Sequence, residues 1–317
     1  MNDENADCLH MGTKGDFAHL ISDKEGLLPL IEQLRGGAKQ RWPFDEVEYA
    51  VRNLWGKYGT NQTYSLPKTT PNIPATTLHR VRKLKSIRRG SWPSFAHELG
   101  VRKNEDVTDY GRCHKPQSPL CYCSMYEEIA LAEIDAGLGD FCVIVTYRLT
   151  SNLTVVPIGE FDYYRRTGTT YLGTAIPKAK ELYRQARDDA NSQLRELVDA
   201  FFADEFIKPA HTFQDYKVTA ALSSVLLNDT NAQNTVDAIF YPSVAFRAGY
   251  NLAIRPQSVH AKMELVKSET RIVRISDVLG YGIFELETLA NLHSVDPGGN
   301  LEWTPVQGAI TNGHCAE

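Results

Sequence analysis

Two β-type runs lie almost end to end, FCVIVTYRL at 141–149 and LTVVPI at 153–158, with Ser151 and Asn152 placed to turn the chain between them. Four more short runs of the same kind, DAIFYPS, NLAIRP, AKMELVK and RIVRI, crowd into the stretch after residue 236. Helical spacing fills the interval. The run from Pro177, PKAKELYRQARDDANSQLRELVDAFFADEFI, carries proline at a first-turn position and a stripe of Leu182, Ala186, Ala190, Leu194, Leu197, Phe201 and Phe202. Its acidic residues, Asp188, Asp189, Asp199, Asp204 and Glu205, fall on the opposite, solvated face. QDYKVTAALSSVLLND gives a further helix. Strands in clusters with helices between them, without strict βαβ alternation, specify an α+β fold.

The first 75 residues differ in texture. SDKE at 22–25 has the form of a capping box before LLPLIEQL, although Gly26 and Pro29 weaken that helix. In DEVEYAVRNLWGKYG the residues Val47, Ala50, Val51, Leu54, Trp55 and Tyr58 recur at helical spacing, and Gly59 suits the stop. Three prolines and many hydroxyls in residues 60–76 give a linker. The expected organisation is a small helical N-terminal module with its linker (1–75), a central α+β domain (76–270) and a C-terminal strand and tail that complete it (271–317).

Composition narrows the function. A chain of 317 residues with 42% hydrophobic and 23% charged content can bury a sizeable core. Its net charge of −5 argues against coating nucleic acid, so the basic run RVRKLKSIRR at 80–89 is better assigned to a local anion site. No apolar stretch reaches membrane-spanning length and the start MNDENADCLH is polar, so the cytoplasm is the expected compartment. Cys113, His114, Cys121 and Cys123 match no standard zinc spacing and contain no CxxC pair, so no metal is expected. In a strand, Cys121 and Cys123 share one face and Tyr122 takes the other.

The segment GRCHKPQSPLCYCSMYEEIALAEI at 111–134 resembles the central block of the RES domain family: a Gly-Arg pair, a polar turn, a strand with a central tyrosine, and a helix ending in Ala-x-x-Glu. Those positions are Gly111, Arg112, Tyr122, Ala130 and Glu133. Upstream, LHRVRK resembles the family's opening strand, with its first arginine at Arg80. Downstream, DAIFYPSVAFRAGYNLAI resembles the serine block, which places Ser243 and Asn251. The likeness spans roughly residues 77–270. The chain departs from the pattern at Cys113-His114, where the family often has Trp-Asn, at Val81, and in a longer interval between Glu133 and Ser243.

The resemblance implies a fold similar to ADP-ribosyltransferase toxins, with a mixed, split sheet flanked by helices. It also implies NAD+ as substrate, and a toxin usually neutralised by an Xre-like antitoxin. Members destroy NAD+ by phosphorolysis or hydrolysis, or transfer ADP-ribose to a protein. The residue chemistry fits that frame. Arginine forks grip pyrophosphate oxygens, a role for Arg112 and for Arg80 or Arg82, which share a strand face. Glu133 would stabilise positive charge on the ribose, and Tyr122 would offer an aromatic face with a hydroxyl. Ser243 and Asn251 would help hold the substrate; Ser243 lacks the elbow of a nucleophile. Glu127 and Glu128 are expected to face solvent. Two other readings share the pocket: transfer of ADP-ribose to a protein, and a binding module that senses a nucleotide without turnover. The apolar face at 45–58 suits either internal packing or a homo-oligomer.

Overall fold

The fold is that of a computed structural model; it describes residues 24–59, 63–68, 77–85, 92–170, 191–228, 235–246 and 249–307. The capping box at 22–25, the first part of the long helical run from Pro177, and Asp188 and Asp189 lie wholly or partly outside those residues. Among the described residues no helix is long and apolar enough to cross a membrane.

Three helical segments come first: α1 (Lys24–Arg35), α2 (Ala38–Arg41) and α3 (Phe44–Tyr58). Every member of the α3 stripe is buried: Val47, Ala50, Val51, Leu54, Trp55 and Tyr58. Asp45 and Glu46 in its first turn and Lys57 in its last complement the helix dipole. Pro29 sits inside α1, which remains helical around it. α1 and α3 share one core with α7 (Ser192–Ile207) and α8 (Lys217–Leu227), through Phe201, Phe202, Phe206, Val218 and Leu222.

The strands are β1 (Tyr64–Leu66), β2 (Thr77–Lys83), β3 (Cys121–Ser124), β4 (Phe141–Leu149), β5 (Leu153–Pro157), β6 (Ala238–Pro242), β7 (Tyr250–Ile254), β8 (Met263–Leu265), β9 (Arg271–Gly280), β10 (Ile283–Val295) and β11 (Leu301–Pro305). They form one mixed sheet in the order β1-β5-β6-β7-β3-β2-β4-β9-β10-β11, with β8 added beside β4. Among the described residues only β5 and β6 pair in parallel. With its flanking helices this is an α+β architecture. The turn at Ser151-Asn152 does not close a hairpin. β4 and β5, consecutive in the chain, are separated in the sheet by β2, β3, β7 and β6.

Strand alternation divides the core between two faces. Ile239 and Tyr241 of β6 turn toward the helices, while Ala238 and Phe240 turn to the other face with Leu252, Ile254, Val143 and Val145. The remaining helices needed below are short: α4 (Ala96–Leu99), α5 (Glu127–Glu133) and α6 (Glu160–Thr167).

Two carboxylates expected on the solvated face of α7 are instead buried. Glu205 is 3% exposed and pairs with Lys208. Asp199 is 2% exposed, and its Oδ2 accepts the Asp162 N–H at 2.8 Å. Backbone groups of Gly159 and Phe161 also hydrogen-bond to it, so Asp199 caps α6 from a distant helix. The side chain therefore belongs to a polar contact between helices, which 3.6-residue spacing does not reveal. Burial is the largest influence on Asp199 and pushes its pKa up to about 7, against those hydrogen bonds. Unfolded aspartates titrate near 4. The folded state thus binds the proton more tightly, and this group's contribution to stability falls as pH rises from about 4 to about 7. Asp199→Asn removes the titration. Unfolding free energies from denaturant titrations should shift in the variant's favour across that window and run level above it; parallel curves would contradict the assignment.

Candidate active site

A cleft of about 970 Å³ opens beside the place where β2 and β3 part. These neighbours share only one register pair, His79 with Ser124, whereas β2 and β4 pair along seven positions. In the gap, Arg80 Nη1 donates to the Tyr122 carbonyl at 3.1 Å and bridges what the ladder leaves open. Arg80 is 6% exposed, and its Nε is buried with no partner among the described residues. A buried guanidinium with an unused donor can receive an anion.

Arg82 differs from Arg80. Both its Nη atoms donate to carbonyls, those of Glu98 and Gly100 at the end of α4. Burial, followed by the Arg80 charge, lowers its pKa to about 10, which still leaves it cationic at neutral pH. The two arginines share the strand face expected of them, and the Nε of each is buried with no partner among the described residues, but both Nη atoms of Arg82 are committed to α4.

Arg112 reaches the cleft from the turn before β3. Its Nη1 donates to Phe206 O at 2.7 Å and Lys208 O at 3.1 Å, and its Cζ lies 5.0 Å from the Tyr216 ring. A cation on the C-terminal carbonyls of α7 is favoured by the helix dipole. Gly111 before it is bridged to His114 through both backbone bonds. A Cβ on Gly111 would sit 2.1 Å from the His114 ring, so the Gly-Arg step needs glycine because the imidazole folds over it.

The Tyr122 hydroxyl is engaged within the protein. It accepts the Cys113 N–H at 3.0 Å and lies 2.7 Å from His114 Nδ1. Burial pushes the phenol well above 10. Burial, aided by Arg102, lowers the His114 pKa to about 4, so the imidazole is neutral at working pH and its Nδ1 can accept the phenolic proton. Tyr122 therefore presents a fixed ring to the cleft.

Glu133, the last residue of α5, is held from three directions. Its Oε1 accepts Ser243 Oγ–H at 2.5 Å, Asn251 Nδ2–H at 2.8 Å and Val244 N–H at 3.2 Å. Ser243 Oγ in turn accepts the Phe246 N–H at 2.9 Å. Ser124 Oγ donates to Asn251 Oδ1 at 2.5 Å, which fixes the amide so that its NH₂ faces the carboxylate. Oε2 accepts none of these bonds, and the Glu133 side chain is exposed to the cleft.

The cleft wall thus includes Arg80, Arg82, Arg112, Tyr122, Glu133 and Asn251. Ser243 stands behind Glu133. Arg102, His114 and Ser124 join the site without having been singled out as site residues. Ser124 is the one with a legible signal, two residues after Tyr122 on the same strand face. Lys83 and Arg102 add to the arginines, while Glu133 and Asp135 are the acidic residues of the wall, so the cleft is electropositive. Glu127 is not solvent-facing. It forms a bidentate, half-buried pair with Arg271 at 2.7 and 2.8 Å. Among the described residues no group of three or more His, Cys, Asp or Glu side chains could hold a metal ion.

A family model of the RES domain matches residues 77–275, more than half of the chain. No curated protein and no solved structure matches it. Arg82→Met keeps the aliphatic stem and removes the donors to Glu98 and Gly100. The anchoring role predicts a loss of about 1–3 kcal/mol in unfolding free energy. A variant as stable as the parent in chemical denaturation would contradict that role.

Proposed function

The chain belongs to the RES domain family, whose members are toxin-like proteins that act on NAD, and from that premise we propose that it cleaves the nicotinamide–ribose bond of NAD+. The observation that carries this reading is the pairing of an arginine-lined wall with one carboxylate oriented by Ser243, Asn251 and the Val244 N–H.

The pyrophosphate of a dinucleotide carries two negative charges and suits the Arg80 and Arg112 side of the cleft. Tyr122 offers its ring to the ribose or the nicotinamide. When the C1′–N bond breaks, both electrons go to the nicotinamide, which leaves neutral, and positive charge develops on the sugar. Glu133 answers that charge. Its Oε1 is held by three donors, which leaves Oε2 to face the oxocarbenium or to orient the incoming oxygen of water or phosphate. Asn251 and Ser124 fix the direction of that carboxylate, so little reorganisation accompanies the charge change. Arg82 has a supporting role in this scheme, because both its Nη atoms hold α4. Transfer of ADP-ribose to a protein would use the same first step with a different acceptor.

Purified protein incubated with NAD+, with and without phosphate, should release nicotinamide. Glu133→Gln should lower turnover on the order of 100-fold or more. Turnover in that variant equal to the parent's would refute the assignment. Phosphate dependence identifies phosphorolysis, and labelled NAD+ that marks protein identifies transfer. Ser124→Ala, which frees the Asn251 amide to turn, should lower kcat with little change in KM, because it touches orientation and not binding.

A further inference from the structure

Cys121 and Cys123 stand two residues apart on β3, on the face opposite Tyr122, and NAD+ cleavage gives them no part. Their Sγ atoms are 3.7 Å apart in hydrogen-bond contact. Cys121 is 0% and Cys123 2% exposed, yet Cys123 contributes to the cleft wall. The pair lies against the same guanidinium that bridges the sheet. The hydrogen bond from Cys123 lowers the Cys121 pKa most, and the Arg80 and Arg82 charges lower it further. At Cys113 and Cys142 burial outweighs the cations nearby: it pushes Cys113 up to about 12 despite Ser223 and Arg112, and Cys142 up to about 11 despite Lys83.

We propose that Cys121 and Cys123 are a redox-active dithiol, oxidised to an intrastrand disulfide by a small peroxide that enters through the cleft, and that this bond disables the site built on β3. The Sγ–Sγ contact and burial hold the Cys123 thiol well above its usual range, so the resting charge sits on Cys121. A proton passing from Cys123 to Cys121 along the 3.7 Å contact brings that charge to the sulfur at the cleft for the attack. That thiolate attacks one peroxide oxygen, the O–O bond breaks, and a sulfenic acid forms with release of hydroxide, which takes up the proton that the dithiol lost on ionising and becomes the first water. The second sulfur, giving up its proton, attacks the sulfenic sulfur and expels the hydroxyl as water. Two thiols and one hydrogen peroxide become one disulfide and two waters, with two electrons passing from sulfur to oxygen.

The geometry couples the bond to the site. Alternate residues of a strand are about 6.6 Å apart at Cα. That is near the upper end of what a disulfide spans, and the sulfurs must close from 3.7 Å to about 2.0 Å. β3 must therefore contract at Tyr122. The carbonyl of that residue holds Arg80, and its hydroxyl holds the turn at Cys113 and His114. A contraction here displaces both groups together. A bond formed under such strain is readily reduced, which makes the modification reversible.

The test uses the full chain, exposed to hydrogen peroxide, denatured, alkylated and analysed by peptide mass. The peptide carrying Cys121 and Cys123 should lose two hydrogens and regain both alkylation sites after dithiothreitol, and it should react about ten-fold or more faster than Cys142. In Cys121→Ser the reaction should stop at a sulfenic acid on Cys123 that dimedone traps. Both thiols remaining alkylatable after Cys142 has oxidised, or pairing of either with another cysteine, would overturn the dithiol. The switch rests on the NAD+ reading and is tested separately. Nicotinamide release should fall on the order of 100-fold on oxidation, the scale of a 1 Å misplacement, and return with dithiothreitol. Disulfide formation with unchanged release overturns the switch. Fully reduced protein that releases no nicotinamide refutes the NAD+ reading and leaves the mass result standing.

Discussion

The site depends on the parting of β2 and β3. A continuous ladder would satisfy the Tyr122 carbonyl with a backbone N–H and leave no room for a ligand. Here the two strands touch at His79 and Ser124, and the Arg80 guanidinium takes over beyond. Burying a cation is costly unless it is hydrogen-bonded. Arg80 meets that cost with the carbonyl that the split exposes. One residue thus closes the sheet locally and places positive charge in the cleft.

The opposite wall is arranged by neutral donors. Glu133 is positioned by a serine hydroxyl, an amide and a backbone N–H, and Ser124 determines which way the amide points. These groups come from β3, β7 and the loop after β6, with the carboxylate itself from α5. Because β7 pairs with both β3 and β6, a short piece of sheet aligns all of them. Rigid elements therefore carry the orienting groups. In the proposed reaction, that lets the carboxylate meet developing charge without rearranging.

Local elements were largely legible in the chain. The α3 stripe is buried residue for residue, and the runs at 141–149, 153–158 and after 236 are strands, because side-chain periodicity is a local property. Charged residues were less transparent. Asp199 and Glu205 occupy positions that helical spacing assigns to solvent, yet Asp199 caps α6 and Glu205 pairs with Lys208. Glu127 is tied to Arg271, 144 residues away. Such partners lie on other elements, and no window along the chain contains both members of the pair.

The sequence by itself determined the α+β class, many of its helices and strands though not β1, β10 or β11, and the set of arginine, tyrosine, glutamate, serine and asparagine side chains available for chemistry. Tertiary structure decided which neighbours each one holds. It separated Arg80 from Arg82 by giving the latter two carbonyls to hold. It turned the Tyr122 hydroxyl toward Cys113 and His114, and it set Ser243 behind Glu133 rather than in the cleft wall. It also parted β4 from β5, although only Thr150, Ser151 and Asn152 lie between them in the chain. The reason is physical: residue type and spacing act over a few ångströms of backbone, whereas the direction of a hydrogen bond depends on whichever element packs against it.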